Sequence, residues 1–151
     1  MDKKTKREKN IKNPKKIIKK VGYSTDGEKV IWRFDMIDSD GKFAFDLDRK
    51  DFLHYEVMKK MIDYSNMTWA EIKRQTHDEG KSKHHLLALE ELSKEAFDRF
   101  NVKHLEEYSD SIFSFALQNK LRIVGIRKDA NFHVLWYDPQ HEVCLSKKKH
   151  T

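Results

Sequence analysis

Six side chains in the last third of the chain, Arg122, Arg127, His133, Tyr137, Asp138 and His141, are of the types that hold a phosphate and move protons on it. Cleavage of RNA through its own 2′-hydroxyl needs a base for that hydroxyl, an acid for the leaving oxygen and a cation near phosphorus. Histidine takes either proton role near neutral pH. Arginine supplies a fixed charge with paired donors. Arg127, His133, Tyr137 and His141 are therefore candidate catalytic residues, with Arg122 as a candidate phosphate contact. Tyr137 or Trp136 can stack on an exposed base. The competing reading is a solvated sheet face that happens to carry Arg and His, with Trp136 in the core.

A second cationic group is Lys81-Ser-Lys-His-His85. Lys81, Lys83, His84 and His85 make a compact patch suited to nucleic-acid phosphates, against the plainer reading of a surface loop. Lys147, Lys148 and Lys149 form either a short phosphate-binding arm or a frayed tail. A metal site is not expected. Adjacent histidines in a strand point to opposite faces, and no recognised spacing recruits His77, His104 or His141 as a third ligand. The five glycines form neither G-x-G-x-x-G nor a phosphate loop, so no cofactor is expected. Cys144, the single cysteine, excludes an internal disulfide and reads as a packing residue.

The elements that must position these groups follow from periodicity. Residues 28–37 and 42–47 alternate apolar and polar residues around Asp38-Ser-Asp-Gly41, which predicts a hairpin. Asp51 is a candidate cap for a helix to about Tyr64. Thr68-Trp-Ala-Glu71 has capping-box spacing and predicts a second, short helix. Ser93 caps a third. Residues 81–90 are too short an apolar run to assign as strand or helix. Residues 111–117, 121–127 and 132–137 read as three strands, the last stopped by Pro139. Alternation puts Phe132, Val134 and Trp136 on one face of that strand and His133, Leu135 and Tyr137 on the other. The order β-β-α-α-(β)-α-β-β-β predicts an α+β fold: a curved antiparallel sheet of about five strands with helices on one face.

Charge is segregated along the 151 residues, of which 38% are hydrophobic and 37% charged. Residues 1–20 hold ten Lys and Arg against Asp2 and Glu8, and 147–149 add three Lys. The 18 basic and 23 acidic residues left between them make the body mildly acidic, although the whole chain is +6. Residues 1–21 are expected to be a basic tail too polar to order alone, 22–145 a single domain and 146–151 a second basic tail. The tails are either tethers for a polyanion or solubilising extensions. No apolar window approaches a signal peptide or a membrane span, which makes a cytoplasmic protein without a membrane partner the expectation.

Residues 113–117, 121–127 and 132–138, followed by polar groups, resemble the C-terminal half of RelE/ParE-type toxins over about 111–145. That resemblance implies a small α+β ribonuclease acting on RNA at the ribosome, with an antitoxin-like protein partner. It implies phosphate contacts for Arg122 and Arg127 and proton transfer for Tyr137 or His141. The ending W-Y-D-P-x-H-x-V-C also resembles a family of small uncharacterised bacterial proteins, which implies no activity. The reading is an RNA-directed protein, with a metal-independent endoribonuclease of the toxin–antitoxin type as its sharpest form. The alternative is a non-catalytic nucleic-acid- or ribosome-associated module holding RNA with its basic tails. A third is a protein-interaction domain whose acidic body meets a basic partner.

Overall fold

The computed structural model of the protein describes residues 24–145. The tails at 1–21 and 146–151, Lys147, Lys148 and Lys149 among them, lie outside the described residues. The fold is α+β, with strands β1 (Ile31–Arg33), β2 (His85–Leu87), β3 (Ile112–Ala116), β4 (Arg122–Lys128) and β5 (Asn131–Asp138). Its helices are α1 (His54–Ser65), α2 (Trp69–Arg74) and α3 (Lys94–Val102). The five strands form one open sheet in the order β1-β5-β4-β3-β2. No described helix is long and apolar enough to cross a membrane.

The three C-terminal strands form as their alternation predicts, joined by short turns and paired antiparallel. The N-terminal hairpin does not form. Residue Asp38, in the middle of the turn signal, is drawn into the protein and is 1% exposed. Its amide donates to the Leu135 carbonyl oxygen at 3.0 Å. Its carboxylate takes both arms of Arg99, at 2.8 and 3.0 Å, and the Trp136 indole N–H at 2.9 Å. Burial pushes this carboxyl up, but the Arg99 fork, the indole and the Asp40 amide outweigh it and hold it below the usual range. Pinned there, the chain wraps over the end of β5 at Ala44 instead of folding back on β1. The strand β1 pairs with β5 in parallel, so the sheet is mixed.

Helices also lie on both faces, not one. The helices α1 and α2 cover a core of Phe113, Phe115, Ile123, Phe132 and Tyr137. The helix α3 covers Ile112, Val124, Ile126, Leu135 and Trp136 on the other side. The strand β3 is buried along its whole length, as a strand between two layers must be. Two of the helix starts are local. Thr68 and Glu71 bond each other's amides at 3.2 and 2.8 Å, and Ser93 accepts from the Ala96 amide at 3.3 Å. Asp51 is not a cap; it takes the Arg49 fork at 2.8 and 2.9 Å.

A β-bulge breaks the alternation of β5. Gly125 opposes Val134 and Val124 opposes Trp136, which leaves Leu135 without a partner across the strand. Phe132, Val134 and Tyr137 therefore join one core, and Leu135 and Trp136 both join the other. A Cβ at Gly125 would collide with the His133 carbonyl oxygen and the Phe132 ring, so only glycine fits beneath the bulge. The bulge sends His133 and Tyr137 to opposite faces of the sheet, where strict alternation had put them on the same one.

Candidate active site

The fold sends the sequence-predicted residues to two ends of the sheet and into its core. At the end formed by the β4–β5 turn, Arg127 reaches back to the start of the domain. Its Nη2 donates to Asp26 Oδ1 at 2.8 Å and to Thr25 Oγ1 at 3.0 Å, and its Nε to the Asp129 carbonyl oxygen at 2.9 Å. The guanidinium lies 4.1 Å from the centre of the Trp69 ring. Lys73 and Arg127 together hold the Asp26 carboxyl below its ordinary value. The charge of Arg127 is thus met by a carboxylate, and only Nη1 has no acceptor among the described residues. His133, one strand position away on the other face, bonds Asp35 Oδ1 through Nδ1 at 2.7 Å. That bond lowers the Asp35 carboxyl.

Tyr137 is fully buried. Its hydroxyl donates to the Asp51 carbonyl oxygen at 2.8 Å and accepts from the Leu53 amide at 2.9 Å. Its ring stacks on Phe52. Burial raises the phenol above its usual value, which opposes deprotonation. Tyr137 anchors the lead-in to α1.

The opposite end of the sheet gathers groups from separate parts of the chain. Arg122 opens β4 and pairs in register with Asp138 at the end of β5 and with Ala116 at the end of β3. It shares the α3 face with Val124, two residues on. His85 lies on that face too, across from Ser114 on the edge strand β2. His141 follows Pro139 in the turn after β5, with φ at 59° in the left-handed region, an unusual backbone for a residue with a side chain. The buried Asp138 carboxylate holds that turn by accepting from the Glu142 amide at 2.8 Å and the Val143 amide at 2.9 Å.

These groups feel one another. Burial lowers the His85 imidazole, and the charges of Arg122 and His77 lower it further. Burial lowers His141 likewise, and Arg122, His85 and His77 add to it. Arg122 is 8% exposed and depressed by burial. Its Nη1 donates to the carbonyl oxygens of Asn119 at 2.8 Å and Leu121 at 3.0 Å. Its Nε and Nη2 have no acceptor among the described residues, and no buried side-chain nitrogen or oxygen there lacks a partner, so both touch solvent. A guanidinium with donors to spare, two imidazoles that are neutral bases at pH 7, and a third imidazole nearby can bind a phosphate and move protons beside it.

The Lys81–His85 patch divides. His84 is 5% exposed and structural. Its Nδ1 accepts from the Ala116 amide at 3.1 Å, so Nε2 carries the proton and donates to Gln75 Oε1 at 2.8 Å. Burial pushes it down to about 3. His85 points the other way, into the polar corner. Lys81 is exposed and Lys83 half-buried, in a small loop closed by the His77 amide to the Lys81 carbonyl oxygen at 2.8 Å and the Lys83 amide to the Gln75 carbonyl oxygen at 3.0 Å. That loop carries His77, which sequence reasoning weighed only as a metal ligand. Asp35 was not singled out at all, and nothing in its spacing marks it as a partner of His133.

Sequence reasoning placed His85 and His141 in separate groups. The only signal joining them is that strands 85–87 and 112–116 pair antiparallel and bring residue 85 to the level of β4's first residues. Among the described residues, no three His, Cys, Asp or Glu side chains are set to hold a metal ion. Comparison of the chain with protein-family models, with curated proteins and with solved structures finds no match to any of the three.

Proposed function

We propose that the protein is an RNA-directed endoribonuclease that needs no metal and works at the corner formed by Arg122, His85 and His141. The observation that carries this reading is that Arg122 keeps Nε and Nη2 without an acceptor among the described residues, at the end of the sheet that His85 and His141 share. In the reaction, one imidazole takes the proton of a ribose 2′-hydroxyl. The resulting oxygen attacks phosphorus, and the other imidazole protonates the departing 5′-oxygen. The products are a 2′,3′-cyclic phosphate and a 5′-hydroxyl. Arg122 neutralises the charge that grows on the phosphoryl oxygens.

The lowered imidazoles fit a site that meets an anion. With no substrate both are neutral at pH 7, and a phosphate seated on Arg122 favours protonation of one of them. The pH profile of kcat/KM, set by the free protein, therefore keeps its acid limb below the ordinary histidine value. The toxin-type reading belongs to the same proposal, with RNA on the ribosome as the substrate and an antitoxin-like protein as its restraint.

The test is cleavage of a labelled single-stranded RNA by the full chain and by His85→Ala and His141→Ala. Each substitution is expected to lower kcat/KM by about 100-fold or more, with the unfolding midpoint nearly unchanged, and expression of the wild type, but not the variants, arrests growth. Cleavage by the double variant at the wild-type rate rejects the site.

The segregated charge of the chain supports a second reading, a binding module whose basic tails hold RNA. Deleting residues 1–20 then weakens RNA binding and flattens its salt dependence. An unchanged slope rejects the tail's part.

A further inference from the structure

We propose that the hollow beside the Arg122 corner is a nucleobase subsite, which takes the base next to the scissile phosphate and prefers adenine. The inference rests on reading Arg122 and the two histidines as the phosphate site. The hollow has a volume of about 450 Å³ and lies between the β3–β4 turn, the turn that leaves β5 and the start of α1 at Leu53 and Glu56. That volume falls within the roughly 300–1,000 Å³ of small-ligand sites and leaves room for a base and its ribose.

Two of its three segments also shape the Arg122 corner. Asn119 and Leu121, which line the hollow, give Arg122 Nη1 its two carbonyl acceptors at 2.8 and 3.0 Å. Gln140, on the opposite wall, immediately precedes His141. Arg122 Nη1 is thus at hydrogen-bond distance from the backbone of two residues that line the hollow.

The lining is chemically specific. Gln118, Asn119 and Gln140 present three carboxamides, none bonded to another described residue. Each offers a donor and an acceptor side by side. Such a pair matches the N6 donor and N7 acceptor of adenine two for two. Leu53, Leu121 and Pro139 supply apolar surface for the base, and Lys120 and Glu56 add one charge of each sign. The frame is braced: the Leu117 amide bonds the Leu121 carbonyl oxygen at 2.9 Å, and the Leu121 amide bonds the Gln118 carbonyl oxygen at 2.9 Å.

The hollow at the other end of the sheet, about 470 Å³ beside β1, lacks this property. Its Asp35 and His133 hold each other, and its Asn131 accepts from Arg33 Nε at 2.9 Å and donates to the Lys128 carbonyl oxygen at 3.3 Å. Its carboxylate and its carboxamide are thus partnered, although Arg33 Nη1 and Nη2 have no acceptor among the described residues. The carboxamides of the first hollow are not partnered.

The experiment uses the full chain and four short RNAs that differ only in the base beside one cleavage position. Adenine is expected to give the highest kcat/KM, by about ten-fold over the poorest base. Gln118→Ala with Gln140→Ala is expected to level the four rates to within about two-fold. Equal rates in the wild type, or a preference that survives the double substitution, overturns the subsite while leaving the cleavage reading in place. A second measurement does not depend on cleavage. Adenosine 5′-monophosphate titrated into the isotope-labelled chain should shift the backbone amides of residues 118–121 and 140, and not do so in the double variant. Absence of those shifts at millimolar nucleotide overturns the proposal. If they are present in a chain that cuts no RNA, the subsite stands and the nuclease reading falls.

Discussion

The two ends of the sheet carry the same residue types and use them differently. At the β4–β5 turn, Arg127 is paired with the Asp26 carboxylate and commits Nε and Nη2 to Asp129, Thr25 and Asp26, and His133 is held by Asp35 at 2.7 Å. At the far end, Arg122 keeps Nε and Nη2 free of described acceptors, and His85 and His141 make no described hydrogen bond to one another or to it. A charge already met by a carboxylate marks scaffold, because a substrate anion would have to displace that partner. In the proposed reading, a guanidinium with no carboxylate partner among the described residues, beside imidazoles lowered by burial and by its charge, is where an anion binds. Residue type alone does not separate the two ends; the carboxylate partners of Arg127 and His133 do.

The most severe way to break the comparison is Gly125→Ala, since the bulge beneath Leu135 sets the faces of both ends. With no room for a Cβ against the His133 carbonyl, the variant should lose on the order of 4 kcal/mol or more and show no cooperative unfolding transition. A folded Gly125→Ala would mean the bulge is dispensable. A paired substitution sharpens the contrast directly. Arg122→Ala should lower RNA cleavage by about 100-fold, as loss of a transition-state donor does. Arg127→Ala should leave kcat in place but cost about 2–3 kcal/mol in urea unfolding, having lost a charged hydrogen bond and the contact with Trp69. Reversed outcomes would exchange the roles of the two ends.

Acid tests the structural histidine against the reactive ones. His84 stays neutral in the folded protein down to about 3, whereas an unfolded histidine takes up a proton near 6.5. Its folded value is depressed, so its contribution is intact above pH 6.5 and is lost as pH falls from there towards 3. The slope from this one group approaches ~1.4 kcal/mol per pH unit. Unfolding of His84→Leu across pH 4–7 should lack that share of the slope, although the variant is less stable at neutral pH. A slope identical to the wild type would remove His84 as the acid-sensitive group. The smallest effect is expected at His133→Gln, which should change cleavage by less than about two-fold; a hundred-fold loss there would move the active site to the other hollow.

How much was legible depended on how far apart in sequence the deciding groups lie. Thr68 and Glu71 sit three residues apart and cap α2 as read. The strands from 112 to 138 follow from alternation and short turns. The N-terminal hairpin failed because Asp38, which looked like a turn residue, meets Arg99 and Trp136 from 61 and 98 residues away. The faces of β5 were misread because alternation assumes no bulge, and the bulge shows only when Gly125 is laid against Val134. Tyr137 looked reactive by type and is sealed against Phe52. His85 looked like one of a pair with His84; the edge strand sends the two to opposite sides and leaves only one in the corner.

Local chemistry written in the chain was enough to determine the class of fold, two helix starts, the three terminal strands and the inventory of groups able to handle a phosphate. Which of those groups meet was decided only in three dimensions. The meeting of Arg122 with His85 and His141 requires strands β2 to β5 to lie side by side, and the withdrawal of Arg127, His133 and Tyr137 requires partners contributed by residues 25–53. Side-chain type is a property of one residue. Availability is a property of what the rest of the chain has already bonded.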